Sequence, residues 1–241
     1  MSVTVPTKTL PSGAEIPVIG LGVYKAEPGA EAYNAVLLAL KLSYRHIDTA
    51  QFYQNEADVG RAVRDSGVPR RESFITSKLF TDNWGYKKAF AATIASNELL
   101  GLTYFDLYLL HTRDELLRIC NTKEFSRTLA WSYIRPSLVE FCKEHNILLQ
   151  AYSPLARTRK LVDPTVLSVA HEVGATPAQV LVANGYITLP KSANPERQQA
   201  NLEVVNITLT IEQVSRLAAL DEGLVVAWRS QDPIEDARFN K

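Results

Sequence analysis

Four side chains in the first half of the chain could together move a proton. Asp48 and Tyr53 share the run His46-Ile47-Asp48-Thr49-Ala50-Gln51-Phe52-Tyr53, Lys78 closes a second apolar run, and His111 closes a third. A phenol titrates at about 10 in water, so at neutral pH it is a weak but usable proton donor. An ammonium beside it favours the phenolate and lowers that value, and an imidazole can hydrogen-bond the substrate oxygen. Lys78 suits the first part and His111 the second, while Asp48 would hold Lys78 by an ion pair. The set suits protonation of a carbonyl oxygen while hydride arrives at its carbon. Taken singly, the residues have plainer readings: a surface tyrosine, a structural Asp–Lys pair, a core histidine. Three of them at the ends of successive strands, in order, favour the chemistry.

The elements that must position these groups are legible as alternating apolar runs and helical periods. Strands are expected at 18–23, 45–48, 74–78, 105–111, 147–152 and 186–190. Most are solidly apolar, as strands covered on both faces are. Ahead of them, 7–10 and 15–19 flank Pro11-Ser12-Gly13 and read as a β-hairpin. Leu138, Phe141, Cys142 and His145 recur at helical spacing, as do Val166, Val169, Ala170 and Val173. Thr176-Pro177-Ala178-Gln179 and Thr210-Ile211-Glu212-Gln213 are capping boxes, and Asp163-Pro164 and Asn194-Pro195 are cap-plus-proline starts. Alternating β and α implies a parallel sheet, either barrel or doubly wound. In a barrel, side chains at the carboxyl ends of the strands converge on one mouth.

A second constellation follows the last strand: Leu189-Pro190-Lys191-Ser192, then Asn194-Pro195-Glu196-Arg197. Helix N-termini bind anions through free N–H groups and the helix dipole. Lys191 and Arg197 would clamp a phosphate there, although an ordinary solvated loop is about as good a reading of this segment alone. A third is Ala151-Tyr152-Ser153-Pro154-Leu155. Tyr152 could stack on a planar ring with Ser153 near a pyrophosphate; the plainer reading is a buried tyrosine before a turn. A Rossmann site is disfavoured. Gly20-Leu21-Gly22 supplies two glycines, but Lys25 stands where the third belongs, and no acidic residue lies about twenty positions on to hold a ribose.

Composition narrows the class. Lys+Arg 26 balances Asp+Glu 26, so neither nucleic acid nor an acidic effector tail is indicated. Hydrophobic residues make up 46% of 241, enough for a sizeable core within one barrel domain, residues 1–241. The N-terminus lacks a signal-peptide pattern and no apolar run is long enough for a bilayer. Two cysteines, Cys120 and Cys142, fit a reduced compartment, with Cys142 in a helix core. The expectation is a cytoplasmic protein with a small-molecule substrate, no metal, no nucleic acid and no membrane.

Several segments together resemble the aldo-keto reductase superfamily, its fungal members above all. They are Gly20-Leu21-Gly22, the stretch from His46 through Tyr53 to Glu56, Thr76-Ser77-Lys78-Leu79, Asp106-Leu107-Tyr108-Leu109-Leu110-His111, Tyr152-Ser153-Pro154-Leu155, and Pro190-Lys191-Ser192 with Arg197 and Asn201. The resemblance implies an α/β fold, a TIM-type (β/α)₈ barrel that binds NADPH without a Rossmann motif. It implies Asp48, Tyr53, Lys78 and His111 as a catalytic tetrad, with Tyr53 the proton donor. Tyr152 would stack on the nicotinamide, Lys191, Ser192 and Arg197 would hold the 2′-phosphate, and Asn201 would lie near the adenine. Ser153 and Leu155 belong to the same cofactor set. Val23, Tyr24, Phe80 and Trp84 resemble residues lining the cofactor and substrate pocket.

The chain also departs from that pattern. Only 23 residues, Thr112 to Ile134, separate His111 from Arg135. Helix, strand, helix and strand there would need roughly 45–50 residues. The segment holds no Ser-Asn pair like the family's nicotinamide-amide ligands, nor the matching Gln on the next strand. Six barrel strands are therefore expected, the fifth and sixth missing. Position 200 is Ala where Glu is common, and the helix after Thr176 is about a turn short. Lost strands expose two sheet edges, which the barrel could reclose or a second copy could cover, so a monomer or weak homodimer is expected. Three functions follow: NADPH-dependent reduction of aldehydes or ketones, an NADPH-binding protein with impaired catalysis, or a barrel lyase with Lys78 as a Schiff base. The last fits least, because Lys191 and Arg197 would then require a phosphorylated substrate.

Overall fold

The computed structural model describes residues 3–111, 136–145, 147–152, 154–155, 158–183 and 185–220; for 136–138, 141 and 152 it describes the backbone alone. The hairpin comes first. Strands β1 (Thr7–Thr9) and β2 (Glu15–Pro17) pair antiparallel, Thr7 opposite Pro17. Gly13, at φ 85°, sits in the turn, and its N–H donates to the Leu10 carbonyl at 2.8 Å. Ile16 packs against Phe74 and Ile187, the first residues of two barrel strands, so the hairpin covers the end where strands begin.

Among the described residues six parallel strands follow: β3 (Leu21–Gly22), β4 (His46–Asp48), β5 (Phe74–Leu79), β6 (Leu107–Leu110), β7 (Gln150–Tyr152) and β8 (Ile187–Leu189). β3 to β6 form one sheet in chain order, and β7 pairs with β8. A parallel bridge between Ile19 and Thr188 joins the two. Thr188 N–H donates to Val18, and Gly20 N–H donates to Thr188, both at 2.9 Å. The spatial order is thus β7-β8-β3-β4-β5-β6. Gly20 is required at the join: a Cβ there would stand 2.8 Å from both the His46 ring and Leu189. The strand expected at 18–23 is therefore ladder-bonded on β8 first and on β4 later. The expected loss of the fifth and sixth strands turns on residues 112–135, outside the described residues, as does Cys120.

Helices lie between the strands. α1 (Ala30–Lys41) buries Ala32, Ala35, Val36, Ala39 and Leu40, and α2 (Glu56–Asp65) buries Val59, Ala62 and Val63. These side chains share one apolar cluster with Leu21, Ile47 and Ile75 from the strands. α2 lies close against α3 (Tyr86–Leu100), because Gly60 presents no side chain; a Cβ would fall 1.7 Å from the Leu100 carbonyl oxygen. α4 (Pro136–Glu144) contains Cys142, which is buried and free. His145, expected at the end of that helical pattern, is exposed just past its last turn.

α5 (Pro164–Glu172), α6 (Pro177–Val182), α7 (Pro195–Leu202) and α8 (Ile211–Ala218) start where their caps place them. Thr176 and Thr210 make complete capping boxes, and Asp163 and Asn194 accept from the N–H groups of Thr165 and Arg197. Each such cap is worth about 1 kcal/mol. No helix among the described residues is long and apolar enough to cross a membrane.

Candidate active site

The strand register brings the reactive groups together. Asp48 on β4 lies beside Thr76 on β5, and Lys78 is two residues further along β5, so it shares the face of Thr76. The ammonium leans back to Asp48: Nζ stands 2.5 Å from Oδ1 and donates to the Thr49 carbonyl at 2.9 Å. Both side chains are largely buried, so the pair forms away from bulk water. Burial holds the Asp48 carboxyl above its ordinary value, with the Lys78 ammonium pulling the other way. Tyr53 closes a single 3₁₀ turn, Gln51–Tyr53, that follows β4 directly. Lys78 Nζ lies 5.1 Å from the centre of the Tyr53 ring.

His111 comes immediately after β6, its N–H donating to the Leu79 carbonyl at 3.1 Å. Its ring lies 5.3 Å from that of Tyr53, nearly perpendicular at 78°. Burial, and then the charge of Lys78, lowers His111 to about 4. The imidazole is therefore neutral at physiological pH, a hydrogen-bonding group rather than a cation. Tyr24, just after β3, has its ring 5.1 Å from that of Tyr53, and Phe80 stacks on Phe52 at 4.9 Å, with Phe52 edge-on to His111 at 6.0 Å. Asp48, Tyr53, Lys78, His111, Tyr24 and Phe80 thus form one cluster. Trp84, partly buried, follows the next 3₁₀ turn, Thr81–Asn83.

Other expected residues are placed differently. Val23 is buried among core side chains. Lys191 is exposed and paired to Glu31 of α1 at 3.5 Å, and Arg197 is exposed in the first turn of α7. Ser192 and Asn201 are buried, and Ser192 Oγ accepts the Asn194 N–H at 3.1 Å. The two cations therefore face solvent, while their polar neighbours turn inward. A surface-facing Lys–Arg pair at a capped helix start fits an anionic group such as a cofactor phosphate. Leu155 packs between two apolar clusters. Tyr152 ends β7 with its side chain outside the described part, and Ser153 lies outside the described residues.

This geometry has known counterparts. The sequence model described as "Aldo/keto reductase family" matches residues 18–130. A 9,11-endoperoxide prostaglandin H2 reductase of Trypanosoma cruzi is 35% identical over 257 aligned positions, covering 89% of this chain and 91% of the relative. The chain belongs to the aldo/keto reductase family. A glycerol 2-dehydrogenase (NADP(+)) of Saccharomyces cerevisiae is 31% identical, covering 83% of this chain and 86% of that one. Among solved structures, an aldo/keto reductase from Brucella melitensis superimposes with a TM-score of 0.83 at 31% identity, covering 92% of this chain and all of that chain. An aldo-keto reductase enzyme from a Medee basin deep-sea metagenome library gives 0.81 at 32%. The fold is accordingly the family's TIM-type barrel, and the chain is placed among oxidoreductases. The 257 aligned positions exceed the 241 residues of the chain, so the Trypanosoma prostaglandin H2 reductase carries residues without a counterpart here.

Three polar residues beside Tyr53 belong to no chemical motif in the sequence. Asn55 and Glu56 are fully buried, and the side-chain Oε1 of Gln51 accepts from Phe80 N–H at 3.1 Å and from Asn83 Nδ2 at 2.9 Å. A signal existed for Glu56: it shares a helical stripe with Val59, Gly60 and Val63, the core face of α2. His46, first in the motif, is a core histidine, its Nε2 3.1 Å from Thr76 Oγ1 and its titration lowered by burial to about 3.

Proposed function

We propose that this aldo-keto reductase reduces aldehydes or ketones to alcohols with NADPH, with Tyr53 giving the proton to the carbonyl oxygen. One observation carries the reading: an ammonium ion-paired at 2.5 Å to Asp48 lies against the Tyr53 ring, which is itself flanked by a neutral His111. Bound NADPH supplies the hydride. As the phenol gives up its proton, the Lys78 ammonium stabilises the phenolate left behind. Neutral His111 holds the carbonyl oxygen by a hydrogen bond, and Tyr24, Phe80 and Trp84 wall the substrate pocket.

Lys191 and Arg197 would hold the 2′-phosphate, with Ser192 and Asn201 behind them and Tyr24 and Leu155 nearest the rest of the cofactor. The NADP named for the yeast relative supports this choice of cofactor. Loss of NADPH absorbance with a panel of aldehydes and ketones tests the activity. Tyr53→Phe is expected to lower turnover by at least about 10²-fold; undiminished turnover rules Tyr53 out as the donor.

A second reading has its own support. An alignment longer than the chain means that parts of the relatives are missing here, and misplaced reactants alone can cost about 10²-fold in rate. The protein would then bind NADPH with little turnover. Fluorescence titration with NADPH separates the two: binding without turnover favours the second, and no binding removes both.

A further inference from the structure

The turn that carries Tyr53 is tied to its surroundings by side chains buried away from the mouth. Asn55 Nδ2 donates to the carbonyls of Val23 and Ala26, both at 3.1 Å, where β3 ends. Its Oδ1 accepts the Thr49 hydroxyl at 2.8 Å, and Thr49 is the residue whose carbonyl receives Lys78. Glu56 Oε1 accepts the Ser77 hydroxyl at 2.5 Å, and Oε2 accepts that of Ser96 on α3 at 3.2 Å. Ser96 Oγ in turn lies 3.3 Å from the Tyr108 hydroxyl on β6. Ser77 immediately precedes Lys78, and successive strand residues face opposite sides. The carboxyl of Glu56 therefore grips β5 from behind at the point where Lys78 projects forward.

A carboxyl group in a sheet–helix layer is costly to bury unless its hydrogen bonds are made, and an apolar side chain would pack there without that cost. What a satisfied polar network adds is a single arrangement of the elements it joins. Here it joins the turn of Tyr53, the strand of Lys78 and the strand before His111. We infer that Asn55 and Glu56 are positioning residues, which set the Tyr53 hydroxyl against the Lys78 ammonium without touching substrate or cofactor. The inference rests on the proton-transfer reading above.

The test compares Glu56→Ala and Asn55→Ala with Val59→Ala, a buried apolar truncation on the same helix. Glu56→Ala and Asn55→Ala are each expected to lower kcat by about 10- to 100-fold. KM for NADPH should stay within about twofold, since no cofactor contact is removed. Val59→Ala should lose stability with kcat kept. Glu56→Gln, which retains an acceptor for one serine, should recover part of the rate. Should Glu56→Ala fail to fold, Ser77→Ala removes the same link from the other side. A second readout needs no turnover: NMR titration of ring-labelled tyrosine, with the Tyr53 signal assigned by its loss in Tyr53→Phe. In Glu56→Ala and Asn55→Ala that signal should move toward a free phenol, and in Val59→Ala it should stay. Rates and titrations that merely follow Val59→Ala overturn the inference. Failure of the wild-type protein to reduce any carbonyl removes the proposed function instead, and the titration then decides this inference by itself.

Discussion

The mouth around Tyr53 and the start of α7 are built on opposite principles. At the first, most of the polar groups are buried and answer one another: Asp48 holds Lys78, Asn55 holds Thr49 and two carbonyls, and Glu56 holds two hydroxyls. At the second, the charged heads of Lys191 and Arg197 stand in solvent, and Lys191 meets only a half-exposed carboxylate at 3.5 Å. The contrast is what the proposed function asks of each end. Moving a proton needs fixed geometry in a medium where charges interact strongly. Capturing an anion needs charge that is still unspent and visible from a distance. Disturbing the first should therefore cost stability and rate together, and disturbing the second should cost affinity alone.

The strongest way to break the contrast is Lys78→Met. It leaves Asp48 buried without its ammonium, and removing one partner of a buried pair costs about 3–5 kcal/mol. Denaturant unfolding should show that loss, and turnover should fall below detection. Adding Asp48→Asn removes the stranded charge, so the double variant should regain part of the stability and none of the rate. Recovery of rate in the double variant would remove Lys78 from the chemistry.

Acid should separate the two ends next. His46 and His111 are lowered to about 3 and about 4, chiefly by burial. Unfolded, each takes up a proton near its ordinary value of about 6.5. Between those values the unfolded chain binds more protons than the folded one, so stability falls as pH falls. Thermal unfolding followed from pH 7 downward should show the loss beginning at about 6.5 and continuing to about 3. His111→Asn should flatten the upper part of that slope, whereas Lys191→Ala should leave it unchanged.

The sequence carried the first region's strand ends and the second region's caps. Asp48, Lys78 and His111 are legible because each ends a stretch that reads as a buried strand, and the four caps because their side chains act within three residues. Boundaries were less visible where a side chain replaces the ladder. At 105–106 the expected strand has not begun, and Asp106 Oδ2 accepts both the Ile75 N–H at 2.8 Å and Arg70 at 2.6 Å. Asn55 was hidden for a related reason. It sits where a helix cap belongs, yet its side chain makes no cap bond and spends its amide on β3. Nor can spacing reveal that Lys191 meets Glu31 from the other end of the chain. Local physics is written in local sequence, whereas these partners are chosen by the closure of the sheet.

Smaller effects sharpen the second region. On the proposed function, Lys191→Ala would remove one charge-assisted contact to the phosphate, worth about 1.5–3 kcal/mol, so NADPH binding should weaken about tenfold or more with NADH affected far less. Glu31→Gln tests the partner of that lysine and should act in the opposite sense. The Glu31 carboxylate is held in place by the Glu27 N–H at 3.0 Å, which is also the main reason its titration is lowered. Fixed there, on the proposed function, it would offset part of the Lys191 charge while leaving the ammonium open to solvent, and would repel an arriving phosphate. Both side chains are more than a third exposed, so the pair contributes only about 0.2–1 kcal/mol. Removing the charge should therefore tighten NADPH by about twofold at low salt. The gain should vanish at high salt, where such surface charges are screened. NADH, lacking the phosphate, should bind as before. Weaker NADPH binding in Glu31→Gln would reverse the assignment: the carboxylate would then be orienting Lys191 toward the phosphate rather than competing for it.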